Sequence, residues 1–210
     1  MRAVLSHISD EELARRKAWG LDRHDEMWEG VLHMTPAPNV EHQRVLDRLI
    51  GFLEPRLRED GRGALLSGIN VFHGDKDYRI PDLSFVAIEH HGLLAVDGVR
   101  GGGPDAVTEI RSPDDETYEK LPFYAAIGTR EVIVIDRDAK RPEIFRLAGP
   151  QDVALQPESD GWVMSETLQV RFRGEAGPPA CLIVEDGTCP CGDCTNLNPP
   201  EQRSTRPFRF

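Results

Sequence analysis

The sequence predicts an α/β or α+β fold, a mixed β-sheet flanked by helices. Three observations carry that expectation. Strand, helix and strand follow one another between residues 106 and 136, the spacing of a crossover unit that makes two strands parallel. Hairpin signals on either side favour antiparallel edges. One long stretch after Asn39 repeats apolar residues at helical spacing.

Along the chain, Ser9-Asp10-Glu11-Glu12 reads as a capping box, with a short helix through Lys17. Glu26 to Met34 reads as two strands around a turn at Gly30, stopped by Pro36 and Pro38. Asn39 caps the long helix, in which His42, Val45, Leu46, Leu49, Leu53 and Leu57 share a face, ending near Gly61. The period then changes to two. Ile69 and Val71, and then Leu83, Phe85 and Ala87, predict a pair of strands joined through His73-Gly74-Asp75-Lys76-Asp77. Gly101-Gly102-Gly103-Pro104 is a loop, Ala106 to Ile110 a strand, and Glu131 to Asp136 a buried strand. The helix between them ends at Gly128, and Pro122 sets its start near Leu121 or kinks it there. Glu143 to Leu147 is the second arm of a hairpin, and Val163 to Phe172 one further strand. From Gly174 the pattern gives way to Gly, Pro, Cys and charged residues. The expected organisation is therefore a domain over residues 1–175 and a poorly structured tail over 176–210.

A chain of 210 residues, 39% apolar and 29% charged, suits one domain with a tail or at most two small ones. No window approaches a membrane span, and the first residues lack the apolar core of a signal peptide, so a cytoplasmic location is the expectation. The net charge of -11 weighs against a surface that grips many phosphates. Bound cations can supply positive charge locally, and Arg56, Arg58 and Arg62 form one candidate basic cluster.

Asp82 and Glu109 stand out because they sit among apolar residues where strands are expected. A carboxylate there is unfavourable unless it is paired, hydrogen-bonded or bound to metal. Magnesium commonly uses one or two carboxylates with water and phosphate oxygens. Two acids on adjacent strands supply such a pair, and a nearby cation would orient water or stabilise charge on a phosphate. Arg111 shares a strand face with Glu109, and Lys120 sits at the start of the next helix. Spacing alone also admits a structural reading, in which Asp82 ends a loop and Glu109 pairs with Arg111, Arg130 or Arg79.

The combination Pro81-Asp82-Leu83, Glu109-Ile110-Arg111-Ser112-Pro113, Lys120 with Tyr124, and Glu131 to Asp136 resembles the Uma-type restriction endonuclease family of the PD-(D/E)xK nuclease superfamily. Glu26-Met27-Trp28-Glu29-Gly30, and Met34 to Pro38 followed by His42-Gln43, resemble its earlier blocks. The resemblance covers roughly residues 22–148. It implies a restriction-endonuclease-like mixed sheet and a magnesium or manganese site at Asp82 and Glu109, with Glu26 as a supporting ligand. It also implies Lys120 in the place of the lysine displaced onto the following helix, and a homodimer as the assembly. Arg111 stands where the wider superfamily has its lysine, so Arg111 and Lys120 both stay open as the residue serving the water. The function expected is metal-dependent endonucleolytic hydrolysis of nucleic acid. The alternatives are an inactive nuclease-fold scaffold and a hydrolase of small phosphate esters.

Other features read as packing or tail. His42 lies on the apolar face of the long helix and is taken as a core or interface histidine. His90-His91 is taken as a solvated turn, and Trp19, Trp28 and Trp162 as packing residues. Cys191 and Cys194 form one Cys-x2-Cys pair, with Cys189 adjacent and Cys181 upstream. The second pair that zinc sites use is absent, so incidental thiols are the main reading and zinc at Cys189, Cys191 and Cys194 the alternative.

Overall fold

The computed structural model describes residues 3–148, 151–187 and 208–209. In chain order, β1 (Ala3–Leu5) precedes α1 (Asp10–Ala18), which Ser9 caps by accepting from the Glu12 amide at 3.1 Å. Next come β2 (Asp25–Trp28) and β3 (Val31–Met34). They are joined by Glu29-Gly30, both at positive φ, as a two-residue hairpin turn demands. The long helix α2 (Val40–Glu59) starts at Asn39, whose Oδ1 accepts from the His42 amide at 2.9 Å. Then follow β4 (Gly63–Ser67), β5 (Val71–Gly74), β6 (Asp77–Arg79), β7 (Leu83–Ala87), β8 (Leu94–Ala95), β9 (Gly98–Val99) and β10 (Ala106–Arg111). A single 3-10 turn at Tyr118–Lys120 leads into α3 (Leu121–Ala126), with Pro122 in its first turn. The chain continues as β11 (Glu131–Asp136), β12 (Pro142–Ala148), β13 (Gln151–Ala154), β14 (Val163–Ser165), β15 (Val170–Glu175), β16 (Cys181–Asp186) and β17 (Phe208–Arg209).

A six-stranded sheet in the order β13-β12-β11-β10-β7-β4 is the centre of this mixed α+β fold. β10 and β11 are parallel, linked by the α3 crossover, and the other neighbours are antiparallel. One face packs on α2 through Val45, Leu49, Phe52 and Leu53, together with Phe172, Leu182 and Val184. The other packs on Leu121, Phe123 and Tyr124 of the α3 segment and on Val71 and Val99. Coverage on both faces explains the unbroken apolar run of β11. Leu49, with no exposed surface, anchors α2; Leu49→Ala would remove about 2–5 kcal/mol.

Several expectations are corrected. The turn at residues 73–77 joins β5 to β6, while β7 pairs with β10 and β4. The stretch Val163 to Phe172 is two strands, β14 and β15, separated by a tight turn with Gln169 at φ 57. Beyond residue 175, where the composition suggested a tail, β16 pairs with β15 and buries Leu182, Ile183 and Val184. The apolar run of β16 is too short to stand out among prolines and glycines. Arg56 is hydrogen-bonded to Asp186 and Phe52 O, Arg58 pairs with Glu54, and Arg62 donates to Leu168 O and Thr167 O. Arg56 and Arg62 are thus engaged in structural contacts, while Arg58 stays exposed beside Glu54. Trp19 is 69% exposed rather than packed. His90 is only partly solvated: its side chain is 40% exposed, and its Nδ1 lies 2.9 Å from the buried Asp105 carboxylate. Among the described residues no helix is long and apolar enough to cross a membrane. Cys189, Cys191 and Cys194, and the zinc reading with them, lie outside the described residues; Cys181 is a free thiol.

Candidate active site

The six-stranded sheet brings two acids to one end. β7 and β10 run antiparallel with Leu83 opposite Thr108, so Asp82, just before β7, and Glu109, the next residue of β10, lie at the same end of the strand pair. Val107, two residues before Glu109, packs on the α3 side, and alternation turns Glu109 the same way.

The Glu109 carboxylate is buried, 4% exposed, among polar partners. Tyr124 donates its hydroxyl to Oε1 at 2.6 Å, and Lys120 Nζ donates to the same oxygen at 3.2 Å. Among the described residues Oε2 receives only the longer Lys120 contact of 3.4 Å. Lys120 and Tyr124 are one helical turn apart, so both reach back from the crossover to β10. Glu26, on β2 of a seven-stranded sheet in the order β1-β3-β2-β6-β5-β9-β8, completes the cluster. Its Oε1 accepts from Lys120 Nζ at 2.9 Å and from the Ile80 amide at 2.9 Å, and its Oε2 from Trp28 Nε1 at 2.8 Å. Both oxygens of Glu26 are therefore engaged, and its partner is Lys120.

Asp82 is held differently. Its Oδ2 accepts from the Ile110 amide at 2.7 Å and faces His42 Nε2 at 3.2 Å. Among the described residues Oδ1 has no hydrogen-bond donor. Arg111 turns away from the acids to Asp136, its register partner on β11, at 2.9 Å, with its guanidinium over the Tyr118 ring. Of the two candidate cations, Lys120 is the one in contact with Glu109 and Glu26.

Glu109 and Glu26 share the Lys120 ammonium, and the charge of Asp82 acts on both Glu109 and Lys120. Burial pushes Glu109 up to about 7; Lys120 opposes this, the charges of Asp82 and Glu26 add to it, and Tyr124 opposes it. Burial works against the Lys120 charge, but Glu109, Glu26 and Asp82 hold its pKa above the ordinary lysine value. Burial and the charges of Glu109 and Glu26, against Arg79, raise Tyr124 well above the usual phenol range, so it stays a neutral donor. For His42, burial is outweighed by Asp82 and Glu109, against Arg137, and the net direction is upward.

Sequence reasoning placed Asp82, Glu109, Lys120 and Glu26 together but left His42 to the core and Trp28 to packing. Trp28 instead anchors Glu26, with its ring stacked on His33 at 4.3 Å between centroids. Glu26 and Trp28 are i and i+2 in β2 and so share a face, a contact that alternation makes available once the strand is assigned.

The Uma2 family model, described as "Putative restriction endonuclease", matches residues 11–177. The chain belongs to the Uma2 family. A solved structure titled as a putative nuclease belonging to DUF820, from Anabaena variabilis ATCC 29413, is similar at a TM-score of 0.59 and 17% identity. The match covers 77% of this chain and 91% of that one, and at such identity it shows the fold. No curated protein matches the sequence. Uma2 membership and the shared fold together support the nuclease class. Among the described residues of this Uma2 chain, no group of three or more His, Cys, Asp or Glu side chains is arranged to hold a metal ion.

Proposed function

We infer that this chain is a divalent-cation-dependent endonuclease that hydrolyses phosphodiester bonds of nucleic acid. The observation that carries this reading is the crowding of Glu109 with Asp82 and Glu26 around Lys120, an excess of negative charge that a cation would relieve. Asp82 and Glu109 fit magnesium or manganese, since Asp82 Oδ1 and Glu109 Oε2 are the hard oxygens least engaged by the protein. A site of two carboxylates needs no third protein ligand, because water and phosphate oxygens complete it. When bound, such a cation supplies Lewis-acid polarisation of a phosphate and acidifies water beside it.

The protein's own groups have separate tasks in this reading. Lys120 holds a fixed positive charge beside Glu109 and presents it to a substrate phosphate or to the attacking water. Glu26 keeps that ammonium in place, which makes it a positioning residue rather than a metal ligand. Tyr124 fixes the Glu109 carboxylate by its 2.6 Å hydrogen bond. Arg111, tied to Asp136, is left outside the chemistry. A cytoplasmic homodimer is part of the same proposal.

The second reading is a non-catalytic scaffold that keeps the nuclease fold. It is favoured by the net charge of -11 and by the structural engagement of Arg56 and Arg62. A hydrolase of small phosphate esters would need the same acids and no basic groove. Incubating DNA, RNA and a small aryl phosphodiester with the chain and Mg2+ or Mn2+ separates the three. Nucleic-acid cleavage that chelation stops and Glu109→Ala loses supports the endonuclease. Cleavage of the small ester alone selects the third reading. No cleavage of any substrate, at matched folding, selects the scaffold.

A further inference from the structure

His42 is placed where packing does not require an imidazole. Its neighbours on the inner face of α2 are Val45, Leu46 and Leu49, and an apolar side chain would continue that stripe without burying a polar atom. Instead a ring that is 8% exposed leaves its Nδ1 buried with no partner among the described residues. A buried polar group with no partner is unfavourable and calls for an explanation. The other nitrogen supplies one. Nε2 lies 3.2 Å from Asp82 Oδ2, which also accepts from the Ile110 amide at 2.7 Å.

We propose that His42 is a positioning residue for Asp82, donating from Nε2 so that Oδ2 is held by the protein and Oδ1 is kept for a divalent cation. This rests on the nuclease reading above. Two donors on one carboxylate oxygen, one from β10 and one from α2, lock the plane of the group. The α2 donor is itself on a rigid base, since the His42 amide is fixed by Asn39 Oδ1 at 2.9 Å and the helix is anchored by Leu49, Phe52 and Leu53. A ring nitrogen facing a carboxylate carries the proton, so neutral His42 is the Nε2–H tautomer with a bare Nδ1. Partners that orient a metal-binding side chain in this way typically change cation affinity by about 10–100-fold when removed.

Two measurements on the full chain decide the matter. Long-range 15N NMR at mildly alkaline pH reads the His42 tautomer without any metal. The Nε2–H form is expected in the wild type, with that preference lost in Asp82→Ala. An Nδ1–H tautomer, or a spectrum unchanged by Asp82→Ala, overturns the contact. Calorimetric titration with Mn2+ then compares the wild type with His42→Leu, which fills the volume without a donor, and His42→Gln, whose amide can donate at similar reach. Affinity should fall about 10–100-fold in His42→Leu and largely return in His42→Gln, with melting temperatures showing both folded. Equal affinity in wild type and His42→Leu, or a loss that His42→Gln does not relieve, overturns the proposal. A wild type that takes up no Mn2+ overturns the cation role together with the nuclease reading, while the tautomer spectrum still decides the His42–Asp82 contact.

Discussion

Glu109 and Glu131 are two buried glutamates on neighbouring strands of one sheet, 4% and 2% exposed, and they differ in almost every other respect. Glu131 is a finished structural group. Its oxygens accept from Ser165 Oγ at 2.7 Å and from the Glu166 and Thr167 amides at 3.2 and 3.1 Å, with Arg146 at 3.8 Å. It ties β11 to the turn between β14 and β15. Glu109 has one phenol and one shared ammonium, and it stands among like charges from Asp82 and Glu26. Burial of a carboxylate therefore says little about chemistry. What separates a strut from a candidate site is whether donors or other acids surround it.

The comparison can be sharpened first at Lys120. Lys120→Gln should reduce cation-dependent cleavage by about 10²–10³-fold, the scale of removing one donor to developing charge. Steady-state kinetics under saturating cation would check it, and an unchanged rate would leave Lys120 as a structural counter-ion only. The corresponding change on the other side is Glu131→Ala, which strands one buried hydroxyl and frees two part-buried amides, and should lower stability by about 1–3 kcal/mol. Urea unfolding would measure that loss, and Mn2+ affinity should be untouched.

A third effect is a pH dependence. The folded-state pKa of Glu109, about 7, lies above its ordinary value of 4.5. A raised carboxyl contributes stability that is fully present below 4.5 and is lost as pH rises through about 7. In cation-free buffer Glu109→Gln should therefore melt higher than the wild type above that range, with the difference closing as pH falls below the ordinary value. A chain of this size shifts by about 2–4 °C per kcal/mol, so scanning calorimetry across the range resolves it. The smallest effect is expected at Arg111. Its ion pair with Asp136 is partly solvated, so Arg111→Ala should change stability by no more than about 1 kcal/mol and cleavage by less than tenfold.

Much of this was legible in the sequence for a physical reason. Asp82 and Glu109 sit among apolar residues where strands are expected and an acid needs a partner, and Pro122 marks the helix start that sets Lys120 facing back to them; Glu26 was legible only through the family resemblance. The mixed sheet followed from the crossover between residues 106 and 136, which β10 and β11 bear out as a parallel pair. His42 was hidden because helical periodicity assigns it to the apolar face of α2, and periodicity reports the face of a residue without reporting what meets its tip. The edge strand β4, Gly-Ala-Leu-Leu-Ser, lacks the alternation that marks a strand, since its residues are only partly buried. Arg111 shared a face with Glu109 as alternation required, but Asp136 at the matching position of β11 captured it. That competition depends on strand register, which residue spacing along one strand does not encode.

The central claim is that the Glu109 end of the sheet, and not Glu131, is a cation site. Calorimetric titration of Mg2+ and Mn2+ into the wild type, Glu131→Gln and the double variant Asp82→Ala, Glu109→Ala tests it most directly. Binding is expected in the wild type and in Glu131→Gln alike, and none in the double variant. Binding that survives the loss of Asp82 and Glu109, or that disappears in Glu131→Gln while the fold is intact, would contradict it.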